Sequence, residues 1–190
     1  MKNLKSEIIK YSKMLNSKKL SALRSGNISL RFKNGFFITP SGKKYSSLKN
    51  SDIVFVSLNG YFDKKKGIPS SEWKFHQDIY RNKKDAKAIV HAHSVNATAV
   101  STHKRGIPPF HYMVAMAGGY NIKCAKYATF GTRELSNNIL KALKDRKACL
   151  IANHGQIAFE ENLSKAFELA EEVENISLQY ITSLKLGKPK

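Results

Sequence analysis

Cysteine is scarce in this 190-residue chain: Cys124 and Cys149 are the only two, and neither stands in a C-x-x-C pair. A disulfide framework is therefore excluded. Long apolar runs are missing as well; none approaches the ~18 residues of a membrane span. The opening MKNLKSEIIKYSKML is charged throughout and contains no signal-peptide apolar stretch. There are no internal repeats, no low-complexity stretch and no linker, so at roughly 100–200 residues per domain the chain reads as one domain over 1–190. Hydrophobic residues make up 42% of the chain, enough for a sizeable core and against wholesale disorder. A cytoplasmic protein of a reducing compartment, with no membrane partner, is the expectation.

Acidic residues are few, 14 Asp+Glu against 33 Lys+Arg, and the formal net charge is +19. A basic surface attracts polyphosphate of any sequence. The excess here is mostly Lys, whereas bidentate readout of phosphates and bases favours Arg. The basic residues are also scattered in short groups (Lys18-Lys19, Lys43-Lys44, Lys64 to Lys66, Lys83-Lys84) rather than gathered in a stripe with interleaved aromatics. A solvated Lys-rich surface or attraction of a small anionic substrate accounts for the charge, and nucleic acid is not an expected partner.

Periodicity supplies the elements. Residues 5–15 are spaced as an amphipathic helix. Ile28 to Phe32 alternates as a half-buried strand, Asn34-Gly35 is a hairpin signal, and 36–39 is the partner strand. A buried strand is expected at 53–58, with a short return around Tyr61-Phe62. Ser70-Ser71 before Glu72 reads as a helix start, with the serines in the capping role and Glu72 in the first turn. Residues 88–93 form a strand that enters a helix at 95–102. Gly131-Thr132 opens another helix to about 144, residues 148–152 form an apolar strand, and 163–184 a long final helix. Hairpin strands mixed with helix-separated strands imply an α/β fold with a largely antiparallel central sheet flanked by helices.

His91 and His93, two apart on a strand, project from one face, which lets two ring nitrogens reach one cation at ~2.0–2.1 Å. His154 follows a second apolar strand. Three His ligands that leave one position open are the layout of a catalytic zinc site; two satisfied or exposed strand histidines are the alternative reading of the H-x-H pair. Glu72 alone favours a helix N-terminus electrostatically. Ser70 and Ser71 hydroxyls at a positive helix end suit a phosphate, and Gly26-Asn27 and Ser41-Gly42 offer backbone N–H groups from neighbouring turns. His76 reads as a helix-surface or packing residue, His103 and His111 as loop residues, Trp73, Phe75 and Tyr80 as core, and both cysteines as small buried thiols.

The strings Ser70-Ser71-Glu72-Trp73-Lys74-Phe75-His76, Val90-His91-Ala92-His93-Ser94 and Thr98-Ala99-Val100-Ser101 resemble the class II aldolase/adducin family. The stretches 111–119 and 124–136 are similar to its fuculose-phosphate aldolase branch, and the likeness runs from Arg24 to Tyr180. The resemblance implies a three-layer fold and reversible cleavage of a phosphorylated ketose to dihydroxyacetone phosphate and a small aldehyde such as L-lactaldehyde, through a metal-stabilised enediolate. It implies one Zn2+ per subunit on His91, His93 and His154, and phosphate binding by Gly26, Asn27, Ser41, Gly42, Ser70 and Ser71. It makes Glu72 the acid/base, and Tyr112 a second proton donor given across the interface of a homotetramer.

Two departures from the family pattern stand out. The chain ends at Lys190, without the aromatic tail that covers the site in the fuculose branch, so looser selectivity or lower activity is expected. The first phosphate loop reads Ala22-Leu23-Arg24-Ser25-Gly26-Asn27, without the extra glycine usual there; Arg24 either adds charge to the phosphate pocket or sits in solvent. Rival readings are a deoxypentulose-phosphate aldolase, the L-ribulose-5-phosphate 4-epimerase, and a non-catalytic adducin-like interaction protein. The epimerases generally carry Asp where Glu72 stands, and the adducin-like proteins lose the metal histidines.

Overall fold

Alternation of side chains along each strand sorts the apolar residues to two sides of one sheet. In the computed structural model, which describes residues 2–187 and 189, seven strands lie in the order β3-β2-β1-β4-β7-β6-β5. They are β1 (Asn27–Phe32), β2 (Gly35–Ile38), β3 (Val54–Ser57), β4 (Ala88–Ala92), β5 (Cys124–Ala125), β6 (Ala148–Ile151) and β7 (Gly155–Glu160). Every pairing is antiparallel except β5 with β6. The expected α/β architecture with a largely antiparallel sheet is borne out.

Ile28, Leu30, Phe37, Ala88, Val90, Leu150 and Ala158 face one core. Over that face pack α1 (Lys2–Ser17), α3 (Val95–Thr102) and α5 (Leu163–Leu184). Residues one step along the same strands, among them Phe36, Ile38, Ile89, Cys149, Ile151, Ile157 and Phe159, face the second core. It lies under α2 (Trp73–Asn82) and α4 (Arg133–Ala142). A one-residue slip of any strand would exchange its two faces, so the register of the sheet is strongly specified by burial.

The termini of the helices follow local chemistry. Thr132 caps α4, its Oγ1 accepting from the Leu135 N–H at 3.2 Å, and Asn162 caps α5 through the Lys165 N–H at 2.9 Å. The start of α2 departs from the expectation: Glu72 occupies the cap position without a capping hydrogen bond, and Ser70 contributes its backbone carbonyl to the Trp73 N–H. Tyr61-Phe62 forms no return strand; the Tyr61 carbonyl accepts from the Ser57 N–H, closing a tight loop. Strands β5 and β7 were not legible in the sequence. β5 has only two residues, and β7 is hidden because Asn153-His154-Gly155 reads as a strand end, whereas Asn153 and His154 lie in the turn of a β6–β7 hairpin and Gly155 opens β7. No helix among the described residues is long and apolar enough to cross a membrane.

Candidate active site

The centre of the sheet determines where the histidines go. His91 shares the α2/α4 side of β4 with Ile89 and sits opposite Asn27 on β1 and Ile157 on β7. It is fully buried, and its Nδ1–H donates to the Gln156 carbonyl at 2.7 Å, which leaves Nε2 pointing toward the other site residues. His93 lies just past the end of β4, its backbone N–H donating to Ser21 Oγ at 3.0 Å. His154 is carried on the β6–β7 turn, where Asn153 takes a left-handed conformation with φ +56°. Gly155 lets this turn lie against β4, because a Cβ there would stand 2.4 Å from the Ala92 carbonyl oxygen.

Three segments distant in sequence thereby converge. His91 Nε2 is 2.9 Å from His93 Nε2 and 3.2 Å from Glu72 Oε2, while His154 Nε2 is 3.1 Å from Glu72 Oε1. All four donor atoms fall within 4.8 Å of one another. A tetrahedral ion with ligands at ~2.0–2.1 Å has edges of about 3.3 Å, close to these separations. Glu72 Oε1 is buried and, among the described residues, has only the His154 ring nitrogen at 3.1 Å beside it, a state that favours a cation, since a buried carboxylate oxygen so sparsely paired is costly. The donor set of three imidazoles and a carboxylate suits a divalent ion of the zinc type.

Charge is arranged to the same end. Burial by itself would raise the Glu72 carboxyl, but the charge of His91 and the adjoining His154 ring outweigh it and hold the group far below the usual carboxylate range. Burial, with the charges of His91 and His154, lowers His93 to about 3 against the opposing pull of Glu72. The ring is therefore neutral at pH 7, with a lone pair available to a metal.

Above the cluster opens a cleft of about 360 Å³. Its lining includes all six residues expected at the phosphate (Gly26, Asn27, Ser41, Gly42, Ser70 and Ser71), together with Glu72, His93 and His154. Backbone bonds join two of the loops: the Ser41 N–H donates to the Ile68 carbonyl and the Ser70 N–H to the Thr39 carbonyl, each at 3.0 Å. Tyr112 is elsewhere. It is 79% exposed at the start of a short 3-10 turn, beside Phe110, His111 and Tyr120, and one chain alone does not bring it to the cleft.

His76 corrects an expectation, since it is neither on the surface nor simple packing. It is fully buried, with Nε2 2.5 Å from Asn27 Oδ1 and Nδ1 2.7 Å from Ser29 Oγ, which in turn is 2.7 Å from the Tyr80 hydroxyl. Asn27 passes the connection on, donating from Nδ2 to Glu72 Oε2 at 2.9 Å. The signal available in the sequence was the i, i+4 spacing of Glu72 and His76 on one helix face. Phe75 and Tyr80 are core as expected, whereas Trp73 and Cys124 are only half-buried.

Residues 6–181 match the family model of the Class II Aldolase and Adducin N-terminal domain. The chain is 52% identical over 165 residues to an L-fuculose phosphate aldolase of Escherichia coli (strain K12), covering 87% of this chain and 76% of that protein. It is 46% identical over 166 residues to a 5-methylthioribulose-1-phosphate/5-deoxyribulose-1-phosphate aldolase of Rhodospirillum rubrum, covering 87% and 75%. A solved L-fuculose 1-phosphate aldolase superposes with a TM-score of 0.96 at 40% identity, covering all of this chain and 90% of that one. The chain belongs to the class II aldolase/adducin family. Within that family it is a class II aldolase, a lyase with a His/Glu group that could hold a metal ion.

Proposed function

We propose that this chain, acting as one domain over 1–190, reversibly cleaves a ketose 1-phosphate of the L-fuculose 1-phosphate type to dihydroxyacetone phosphate and an aldehyde such as L-lactaldehyde. The observation that carries this reading is the convergence of three imidazoles and one carboxylate at the foot of a cleft walled by small polar turns. His91, His93 and His154 hold one zinc ion per subunit. A cation held there would supply Lewis-acid stabilisation for negative charge on the substrate's oxygens.

The protein's own groups do the rest. Backbone N–H groups of the 26–27 turn and of Gly42, with the hydroxyls of Ser41, Ser70 and Ser71, grip the phosphate and so fix the carbon chain relative to Glu72. The Glu72 carboxylate exchanges the proton at the dihydroxyacetone phosphate carbon, with Asn27 Nδ2 steering Oε2 and His76 steering Asn27. Tyr112 of a neighbouring subunit moves the proton at the aldehyde-derived oxygen. Its exposure within the single chain supports action across an interface of a homotetramer. The setting is cytoplasmic.

A second reading, cleavage of a 5-deoxy- or 5-methylthio-ribulose 1-phosphate, draws on the identity to the Rhodospirillum rubrum aldolase. It uses the same phosphate grip and the same proton transfers and differs only in the aldehyde. The test is incubation of the zinc-loaded protein with dihydroxyacetone phosphate and a panel of aldehydes, followed by identification of the sugar phosphates. Lactaldehyde is expected to give the best yield, and unphosphorylated dihydroxyacetone little or none. Glu72→Gln should lose exchange of the dihydroxyacetone phosphate proton with solvent while zinc stays bound. Exchange at the wild-type rate in that variant would refute the assignment of the base, and equal use of the unphosphorylated donor would refute the phosphate pocket.

A further inference from the structure

Among the described residues, Arg24 is the one Lys or Arg on the cleft's lining; apart from Glu72 and the two histidines His93 and His154, the remaining lining groups are uncharged. A phosphate held there would meet hydroxyls and amides but, on its own side of the cleft, a single positive charge. We propose that Arg24 is a phosphate-recognition residue of this enzyme, selecting a dianionic phosphate at the ketose end of the substrate. The proposal rests on the aldolase reading above for the identity of the phosphate's carrier.

The local structure holds Arg24 ready for this. Residues 22–25 form a tight turn in which both the backbone N–H and the hydroxyl of Ser25 donate to the Ala22 carbonyl, at 3.0 and 2.7 Å. Leu23 takes a left-handed conformation with φ +54°, an arrangement that is uncommon outside glycine. The guanidinium reaches across the cleft and donates from Nη1 to the Gly42 carbonyl at 3.3 Å. It thus bridges the two turns expected to bind the phosphate. One of its five N–H donors is engaged there. Arg24 forms no ion pair among the described residues, so the other donors are free for the bidentate geometry that a phosphate offers. A lysine at this place would bring charge without the planar fork.

The interaction is the same in substrate and transition state, so it acts on binding rather than on the chemical step. Inorganic phosphate is the probe. Titrated calorimetrically into zinc-loaded protein, it should bind Arg24→Ala about 10- to 100-fold more weakly than wild type, the range of a charge-assisted hydrogen bond. Arg24→Lys should recover part of the loss. Lys13→Ala, which removes one charge from α1 outside the cleft, should bind phosphate like wild type. In steady-state cleavage, Arg24→Ala should raise KM for the ketose 1-phosphate by a similar factor with kcat within about twofold. Unchanged phosphate affinity in Arg24→Ala, a loss shared equally by Lys13→Ala, or no phosphate binding by wild type would each overturn the proposal. A wild-type protein that binds phosphate through Arg24 yet cleaves no ketose phosphate would instead sink the aldolase reading.

Discussion

Gly26 offers the sharpest test of how the cleft is built, because its backbone is pressed against a strand that carries a candidate metal ligand. Its φ is +75°, and a Cβ there would stand 2.5 Å from the His91 carbonyl oxygen and 2.7 Å from Ser21 Oγ. An alanine at this site meets two costs: about 1 kcal/mol for the left-handed conformation, and a further ~1–3 kcal/mol for overpacking against backbone that cannot rotate away. Relief requires the start of β1 to move from β4 by roughly an ångström, to an ordinary contact distance. That movement strains the Asn27–Glu72 hydrogen bond and the Ser21–His93 hydrogen bond, since both anchor on the same junction. Gly42 provides the control, with φ +74° but no atom within 4 Å of its missing Cβ. Gly26→Ala should therefore lower the melting temperature of chelator-treated protein by about 5–15 °C, at ~2–4 °C per kcal/mol for a chain of this size, and Gly42→Ala by only a few degrees. Zinc affinity, read by competition with a chromophoric chelator, should fall about 10- to 100-fold in Gly26→Ala, the usual penalty for disturbing groups that orient ligands. If the two variants melt together and both bind zinc like wild type, the claim that this close approach positions the site is wrong.

Two further outcomes follow from the buried polar groups. Saturating zinc at about a thousand times its dissociation constant should stabilise the fold by about 4 kcal/mol, seen as a rise of some 8–16 °C in the melting temperature over chelator-treated protein; His91→Ala should abolish the rise, and an equal rise in that variant would place the ion elsewhere. Burial, with the charge of His91 and against that of Glu72, lowers His76 to about 3. The unfolded chain thus takes up a proton at His76 below about pH 6.5 that the folded one refuses. Stability tied to His76 is full above that pH and falls by up to about 1.4 kcal/mol per unit toward pH 3. Urea unfolding of the chelator-treated protein should show this loss in wild type and a shallower acid dependence in His76→Gln; parallel pH curves would refute it.

The elements were legible wherever local pattern and burial agree. The 28–38 hairpin, with its Asn34-Gly35 turn, could be read from alternation, and the 163–184 helix from its apolar spacing; both are found as expected. Legibility failed where a short or punctuated segment depends on its neighbours. Residues 155–160 lie in the middle of the sheet, yet their strand follows directly on a turn that looks terminal, and only pairing with β4 and β6 makes it a strand. The same dependence hid His76, whose buried position is tolerable because Asn27 and Ser29, on another element, supply its hydrogen bonds.

The chain's own chemistry determined that an H-x-H pair ends one strand, that a third histidine stands in a glycine turn after another, and that small polar turns suited to phosphate recur along the first half. Those properties depend on residue type and spacing alone. Tertiary structure decided that Glu72 turns away from capping its helix and into the histidines, that the β6–β7 turn rests against the end of β4, and that Arg24 reaches Gly42. The physical reason is that coordination and charge act through space over a few ångströms. Segments far apart in the chain, 18 residues for Arg24 and Gly42 and far more for Glu72 and His154, reach that range only when sheet register and close backbone packing bring them together.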